Sequence, residues 1–233
     1  MPAKEVDRRR RTGRRERNAT CPRERQDMTE QDQRTSRGAT GRPRTRKDGP
    51  FGRWRTSDIL ITAAIGVVFG VVFIVADGLW DLTKPLFTWF PPAQALIYGL
   101  WLVPSVLAPY LTRKAGAGVL AELIGSLVEL PAGLGGGGVL LLYGLAQGVA
   151  AEVGYAIFGY RMWRRINPFI AGATAGVAPA VLDNVLYYST WPFGWQVSYG
   201  IAAIVSTAVV GGVLSLVLHA ALRSSGALPA RRG

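Results

Sequence analysis

The sequence is poor in the side chains that soluble catalysis and metal binding use. Its 233 residues hold one cysteine, Cys21, and one histidine, His219. A single cysteine excludes internal disulfides, cysteine-based zinc sites and iron–sulfur clusters, and a single histidine excludes paired-histidine metal motifs. His219 sits near the inner end of the last apolar run, where an interfacial or helix-terminal role is expected. A Walker A motif is also missing. The glycine run 135–138 is followed by Val139 and Leu140, with no Lys to reach a phosphate and no Ser or Thr to hold magnesium. Neither a nucleophile elbow nor the acid cluster of phospholipid-synthesising membrane transferases is present. No enzyme activity, no metal and no cofactor are expected.

Charge is also absent from most of the chain. The protein is 49% hydrophobic yet carries a formal +12. Residues 1–57 hold 18 of the 27 Lys and Arg and 8 of the 15 acids, so this segment carries +10 and leaves +2 for the rest. Rich in Arg, Gly, Pro, Thr and Gln and almost free of apolar residues before Phe51, it cannot bury enough surface to offset the entropy of ordering. It is expected to be a disordered basic cytoplasmic tail, with Met28 as a second candidate start. Polar residues run for fifty positions, so no cleaved secretory signal is expected, and the interspersed acids argue against a transit peptide. A basic tail can bind nucleic acid or anionic lipid. The reading adopted is a solvated extension that helps fix topology, with no nucleic acid expected.

What remains is apolar. Six runs follow Ser57, at about 59–80, 94–111, 116–130, 139–158, 168–190 and 198–222, separated by Pro, Gly and charge clusters. The third falls below the usual twenty residues, which suits a helix that is tilted, buried or extended by neighbouring residues. None alternates as a barrel strand would. The expected fold is all-α: a six-transmembrane-helix bundle over 58–224, with a short cytoplasmic tail at 225–233. Lys and Arg near span ends favour the cytoplasm. With the first tail inside, the inner loops receive Arg113, Lys114, Arg161, Arg164, Arg165 and Arg223, and the outer loops receive Lys84 alone. The expected localisation is the cell membrane, multi-pass, with both termini cytoplasmic. The outer connections carry Trp80, Trp89, Phe90, Trp191, Phe193 and Trp195, either an interfacial aromatic belt or a lid over an outward-facing cavity.

Ionisable groups at membrane depth cost several kcal/mol unless they face a cavity or a partner. Here the polar and aromatic groups gather toward one leaflet. Asp77 and Trp80 end the first span; Gln94, Tyr98 and Trp101 lie in the outer half of the second, and Glu129 closes the third. Tyr143 and Gln147 open the fourth, and Asp183, Asn184, Tyr187 and Tyr188 lie in the outer half of the fifth. On an α-helix the spacings 94/98/101, 143/147 and 184/188 each line one face. Turned inward, such faces form a half-buried pocket for a small flat heterocycle, with a carboxylate pairing to an amino group or positive charge. The alternative is that these groups satisfy one another between helices. Glu122 and Glu152 lie deeper, as structural partners for Arg113, Lys114 or an inter-helix amide. No further acid or histidine completes a proton relay there. Thr62, Gly66 and Gly70 form a small-residue stripe on the first span, either internal packing or a docking face for another subunit.

Several segments resemble the YkoE-type substrate-binding subunits, or S components, of energy-coupling factor (ECF) transporters. They are Trp54-Arg-Thr-Ser-Asp-Ile with Gly66-Val-Val-Phe-Gly, Leu96-Ile-Tyr-Gly-Leu-Trp101, Arg113-Lys-Ala-Gly, Ala121-Glu-Leu-Ile-Gly-Ser-Leu-Val-Glu129 and Leu142-Tyr-Gly-Leu-Ala-Gln-Gly-Val-Ala-Ala-Glu152. The resemblance covers about 54–228 and omits the tail. It implies a non-enzymatic subunit that captures hydroxymethylpyrimidine or thiamin from outside. A transmembrane coupling subunit and a pair of ABC ATPases would energise it, and it would topple in the bilayer to release its ligand inward. It further implies that Glu129, Tyr143, Gln147 and Asn184 bind the ligand, with Tyr98, Trp101 and Tyr188 in support, and that Thr62, Gly66 and Gly70 form the docking face. One departure is the loop after the third span, where family members often carry Trp-Gly and this chain has Leu134 and four glycines. The competing readings are a structural or assembly protein whose polar residues only lock helices together, and an intramembrane enzyme.

Overall fold

The computed structural model describes residues 49–133 and 137–226. The expected tail up to residue 48, with Cys21, lies outside the described residues, as do 134–136 of the loop before the fourth span and 227–233. Every regular element among the described residues is helical. Helix α1 spans Thr56–Thr83 and runs into a 3-10 turn, Lys84–Phe87. Its first turn is fastened by the Arg55 N–H, which donates to Asp58 Oδ2 at 3.1 Å. The second span is a 3-10 helix, Pro91–Leu100, followed by α2, Val103–Thr112. Then come α3, Ala117–Glu129, α4, Val139–Ala156, and α5, Asn167–Leu186. The last span is α6, Phe193–Ser206, a π-turn, Thr207–Gly211, and α7, Gly212–Ser224.

Five of these segments are long and apolar enough to cross a bilayer: Thr56–Phe87, Pro91–Thr112, Val139–Ala156, Asn167–Leu186 and Phe193–Ser224. The sixth, α3, has 13 residues, or about 20 Å of helix against a hydrocarbon core of about 30 Å. It packs against α1, α2 and α4 and buries Ala117, Gly118, Ala121, Glu122, Gly125, Ser126 and Glu129. The short third run therefore makes a helix sheltered by its neighbours. Valines point away from the core, among them Val67, Val71 and Val75 on α1 and Val177, Val181 and Val185 on α5, as a lipid-facing surface requires. The chain is a multi-pass membrane protein.

Two spans differ from expectation. The second was expected as one α-helix over 94–111, but Pro91 and Pro92 open a 3-10 segment and the chain breaks near Leu102 before Pro104 restarts an α-helix. Proline removes backbone donors and favours a helix's first turn, so it resets the helix where it falls. The last span begins at Phe193, earlier than 198, because Pro192 stands at its N-cap. Phe193 and Trp195 thus belong to a helix rather than to an outer loop.

Buried carboxylates satisfy the helix starts. Glu122 Oε2 accepts the Ser105 N–H at 3.0 Å in the first turn of α2, and Glu152 Oε1 accepts the Gly118 N–H at 2.7 Å in the first turn of α3. These N–H groups have no intrahelical partner, and in hydrocarbon no water replaces one. The inter-helix amide reading of Glu122 and Glu152 therefore holds. Lys114 instead donates to the carbonyls of Gly49 and Arg53, each at 3.2 Å. Glu152 Oε2 also accepts the Tyr160 hydroxyl. Burial, then this hydrogen bond, pushes the Tyr160 phenol above its ordinary pKa and keeps it a donor.

The stripe at Thr62, Gly66 and Gly70 faces inward and is buried. A Cβ on Gly66 would stand 2.7 Å from the Ala121 carbonyl oxygen, and one on Gly70 would stand 2.5 Å from Val128 Cβ. These glycines let α1 and α3 touch backbone to backbone. This corrects the expected docking face: α3 of the same chain already covers the stripe, leaving no free surface there for another subunit.

Candidate binding site

A cavity of about 580 Å³ opens at the end of the bundle where α1, α3 and α5 finish and α4 and α6 begin. The volume falls in the range of small-molecule sites. Six of the seven residues expected to bind ligand line it: Tyr98, Trp101, Glu129, Tyr143, Gln147 and Tyr188. Asp77, Trp80, Asp183, Tyr187 and Tyr199 also line it, and Asp81 and Lys84, paired at 2.7 Å, border it.

The carboxylates divide into two kinds. Asp183, 5% exposed, accepts the Tyr143 hydroxyl on Oδ1 and the Tyr199 hydroxyl on Oδ2. One side chain of α5 thereby rivets α4 and α6, and both of its oxygens are occupied. Glu129, 2% exposed, instead faces Asp77 across the α1–α3 contact. Among the described residues neither Glu129 Oε1 nor Asp77 Oδ2 has a hydrogen-bond partner, and Trp101 lies beside Asp77. Among the described residues no cation pairs with these two facing carboxyl groups, so a shared proton or a ligand's positive group completes the pair.

Aromatic rings fill much of the rest. Trp80 meets Tyr98 and Trp101 edge-on, with ring centres 6.1 and 6.0 Å apart, and Tyr98 lies 5.5 Å from Trp101. The 3-10 backbone explains this cluster: at three residues per turn, Tyr98 and Trp101 eclipse one another. The same period carries Gln94 off the face that α-helical spacing assigned to it, and its amide donates to the Trp80 carbonyl at 2.7 Å. On the opposite wall Tyr188 stacks on Trp191 with ring centres 4.0 Å apart and an interplanar angle of 17°. Burial, with Asp183 nearby, pushes the Tyr188 phenol up to about 12 and keeps it neutral. Gln147, 5% exposed, lines the cavity and has no hydrogen-bond partner among the described residues.

Asn184 is placed differently. Its amide donates to the carbonyls of Ala180 at 2.7 Å and Gln196 at 3.1 Å, tying α5 to α6, and it is not among the cavity-lining residues. Its neighbour Asp183 takes the inward position. Sequence reasoning noted Asp77, Trp80, Asp183 and Tyr187 as outer-half groups without selecting them, and it missed Tyr199. The signal for Tyr199 was a phenol near the start of an otherwise apolar last span. No group of three or more His, Cys, Asp or Glu able to hold a metal ion occurs among the described residues.

Fold and cavity together define a multi-pass helical membrane protein with a cavity of small-molecule size at one end of its bundle. Residues 57–178 match the family model described as the ABC-type cobalt transport system, permease component. A protein of Bacillus subtilis (strain 168), YkoE, named as an HMP/thiamine permease protein, is 30% identical over 179 residues, covering 75% of this chain and 87% of its own length. A crystal structure of an S-component of an ECF transporter superposes with a TM-score of 0.70 at 27% identity, covering 75% of this chain and 88% of that one. The chain belongs to the family of YkoE-type S components of ECF transporters.

Proposed function

We propose that this subunit captures a thiamin-related heterocycle, hydroxymethylpyrimidine or thiamin, for an ECF-type importer. The observation that carries this reading is the cavity itself, which Glu129 and Asp77 line together with Trp80, Tyr98, Trp101 and Tyr188. An aminopyrimidine offers N–H donors to such carboxylates and a flat face to Trp80, Trp101 and Tyr188. A thiazolium adds a positive charge that the same surroundings stabilise. Glu129, with Asp77, takes the donors; Gln147 fixes orientation; Tyr98, Trp101, Tyr143 and Tyr188 shape the slot. Asn184 acts indirectly, by holding α6 beside α5.

The chain has no phosphate-binding motif of its own, so separate ATPase subunits and a transmembrane coupling subunit supply the energy. The loop charges favour cytoplasmic termini and an outward-facing cavity. The test is a titration of detergent-solubilised protein with hydroxymethylpyrimidine and with thiamin, followed by tryptophan fluorescence, since Trp80 and Trp101 line the cavity. Saturable quenching by either ligand is expected. A native protein that responds to neither would overturn the assignment.

A further inference from the structure

A second hollow, of about 690 Å³, lies at the opposite end of the bundle. Its walls are the C-terminal end of α2, the α4–α5 connection and the last turns of α7, which bring Arg113, Arg164, Arg165 and Arg223 around one space. Among the described residues none of these arginines forms an ion pair. Cations scattered along the membrane surface would suffice to set topology. A shared concavity is not needed for that purpose.

One wall is built and fixed. Trp163 stacks on the fully buried Tyr155, ring centres 5.6 Å apart, and the Tyr155 hydroxyl donates to the Val106 carbonyl at 2.6 Å. Arg113 lies over Trp163, 5.8 Å from the ring centre, a cation–π contact that holds the guanidinium in place. Its backbone is left-handed, with φ 54°. A non-glycine residue persists in that conformation where its surroundings enforce it. Val217, which also lines the hollow, is 56% exposed on α7, so an apolar surface open to lipid adjoins the four charges.

We propose that this hollow binds the phosphate-bearing headgroup of an anionic phospholipid, with Arg113, Arg164, Arg165 and Arg223 as its ligands. Guanidinium forks match phosphate oxygens two at a time, and basic pockets between transmembrane helices hold anionic headgroups. A free phosphate would satisfy the same arginines. The lipid-facing wall beside them favours a headgroup whose chains continue into the bilayer. This inference stands independently of which solute the acidic cavity captures.

The test reconstitutes the full chain in nanodiscs of phosphatidylcholine with phosphatidylglycerol and counts retained lipids by native mass spectrometry. Wild type is expected to retain phosphatidylglycerol preferentially. Each arginine neutralised is expected to reduce that preference about fivefold, the effect of about 1 kcal/mol per cation near an anionic surface. Arg164→Gln with Arg165→Gln tests the loop. Arg113→Gln is measured beside it because one lost charge leaves the topology bias in place, and R164K/R165K, which keeps both charges, is expected to retain most of the preference. Equal retention of the two lipids by wild type, or a preference unchanged in both neutralised variants, would overturn the proposal. So would full displacement of phosphatidylglycerol by inorganic phosphate, which would assign the site to a free anion.

Discussion

The two ends of this bundle solve opposite electrostatic problems. At one end Asp77, Glu129 and Asp183 surround a cavity whose bordering lysine, Lys84, is paired with Asp81. At the other, Arg113, Arg164, Arg165 and Arg223 surround a cavity that no carboxylate lines among the described residues. The acidic end is held by hydrogen bonds between helices, the tyrosines 143 and 199 closing on Asp183. The basic end is held by ring stacking, Tyr155 under Trp163 under Arg113. Neutralising a rivet should therefore cost fold and function together, whereas neutralising an unpartnered charge should cost binding alone.

The sharpest way to break that contrast is Asp183→Ala. It leaves the Tyr143 and Tyr199 hydroxyls without their acceptor, a cost of about 1–3 kcal/mol for each buried group left unpaired. A large drop in melting temperature in detergent is expected together with loss of ligand quenching. Asp183→Asn keeps one acceptor oxygen and should fall between. A normal melt for the alanine variant would mean that Asp183 is no rivet.

Glu129→Gln should separate the two properties. The amide keeps the volume but removes the carboxylate that accepts from the ligand, so affinity should fall about ten- to hundredfold, the effect of losing a charge-assisted hydrogen bond of about 1.5–3 kcal/mol. Thermal stability should be unchanged or improved, because the amide can donate to Asp77 where two carboxyl groups must share a proton. Isothermal titration beside a melting curve checks both. Equal losses in affinity and stability would place Glu129 with Asp183 as a structural group.

Next in size is the contact that brings Glu129 to Asp77. Gly70→Ala places a Cβ 2.5 Å from Val128 Cβ and 2.7 Å from the Gly125 carbonyl oxygen, and overpacking of this kind costs about 1–3 kcal/mol. Val128 precedes Glu129, so some affinity should go with the stability. Gly78→Ala is the matched control on the same helix, since a Cβ there meets nothing within 4 Å. A lower melting temperature for the first and none for the second is expected. Two equal melts would mean that α1 and α3 are not locked together.

How far these ends were legible in the sequence follows from which physical rule each relies on. Hydropathy was enough to find five of the membrane-crossing segments, because a bilayer imposes length and composition on them. The gathering of Tyr98, Trp101, Glu129, Tyr143, Gln147 and Tyr188 was legible because polar groups in hydrocarbon need a common refuge. Faces were harder. Reading the second span as α-helical put Gln94 beside Tyr98, whereas prolines impose a 3-10 period that separates them. The small-residue stripe has the same spacing whether it meets a helix of this chain or of another, so only the position of α3 decides it.

Asn184 shows the limit at the scale of one residue, and its substitution should have the smallest effect. Asn184 and Tyr188 are four apart and so looked like one binding face, but adjacent residues on a helix point about 100° apart, and it is Asp183 that turns into the cavity. Asn184→Ala removes the donors to Ala180 and Gln196, at a cost of about 1 kcal/mol in stability for the inter-helix bond. The affinity for hydroxymethylpyrimidine or thiamin should stay within about twofold of wild type, well under the 1.4 kcal/mol of a tenfold change. If Asn184→Ala instead abolished quenching while melting normally, the amide would have to swing from α6 into the cavity when ligand arrives, and the acidic end would owe part of its shape to the ligand.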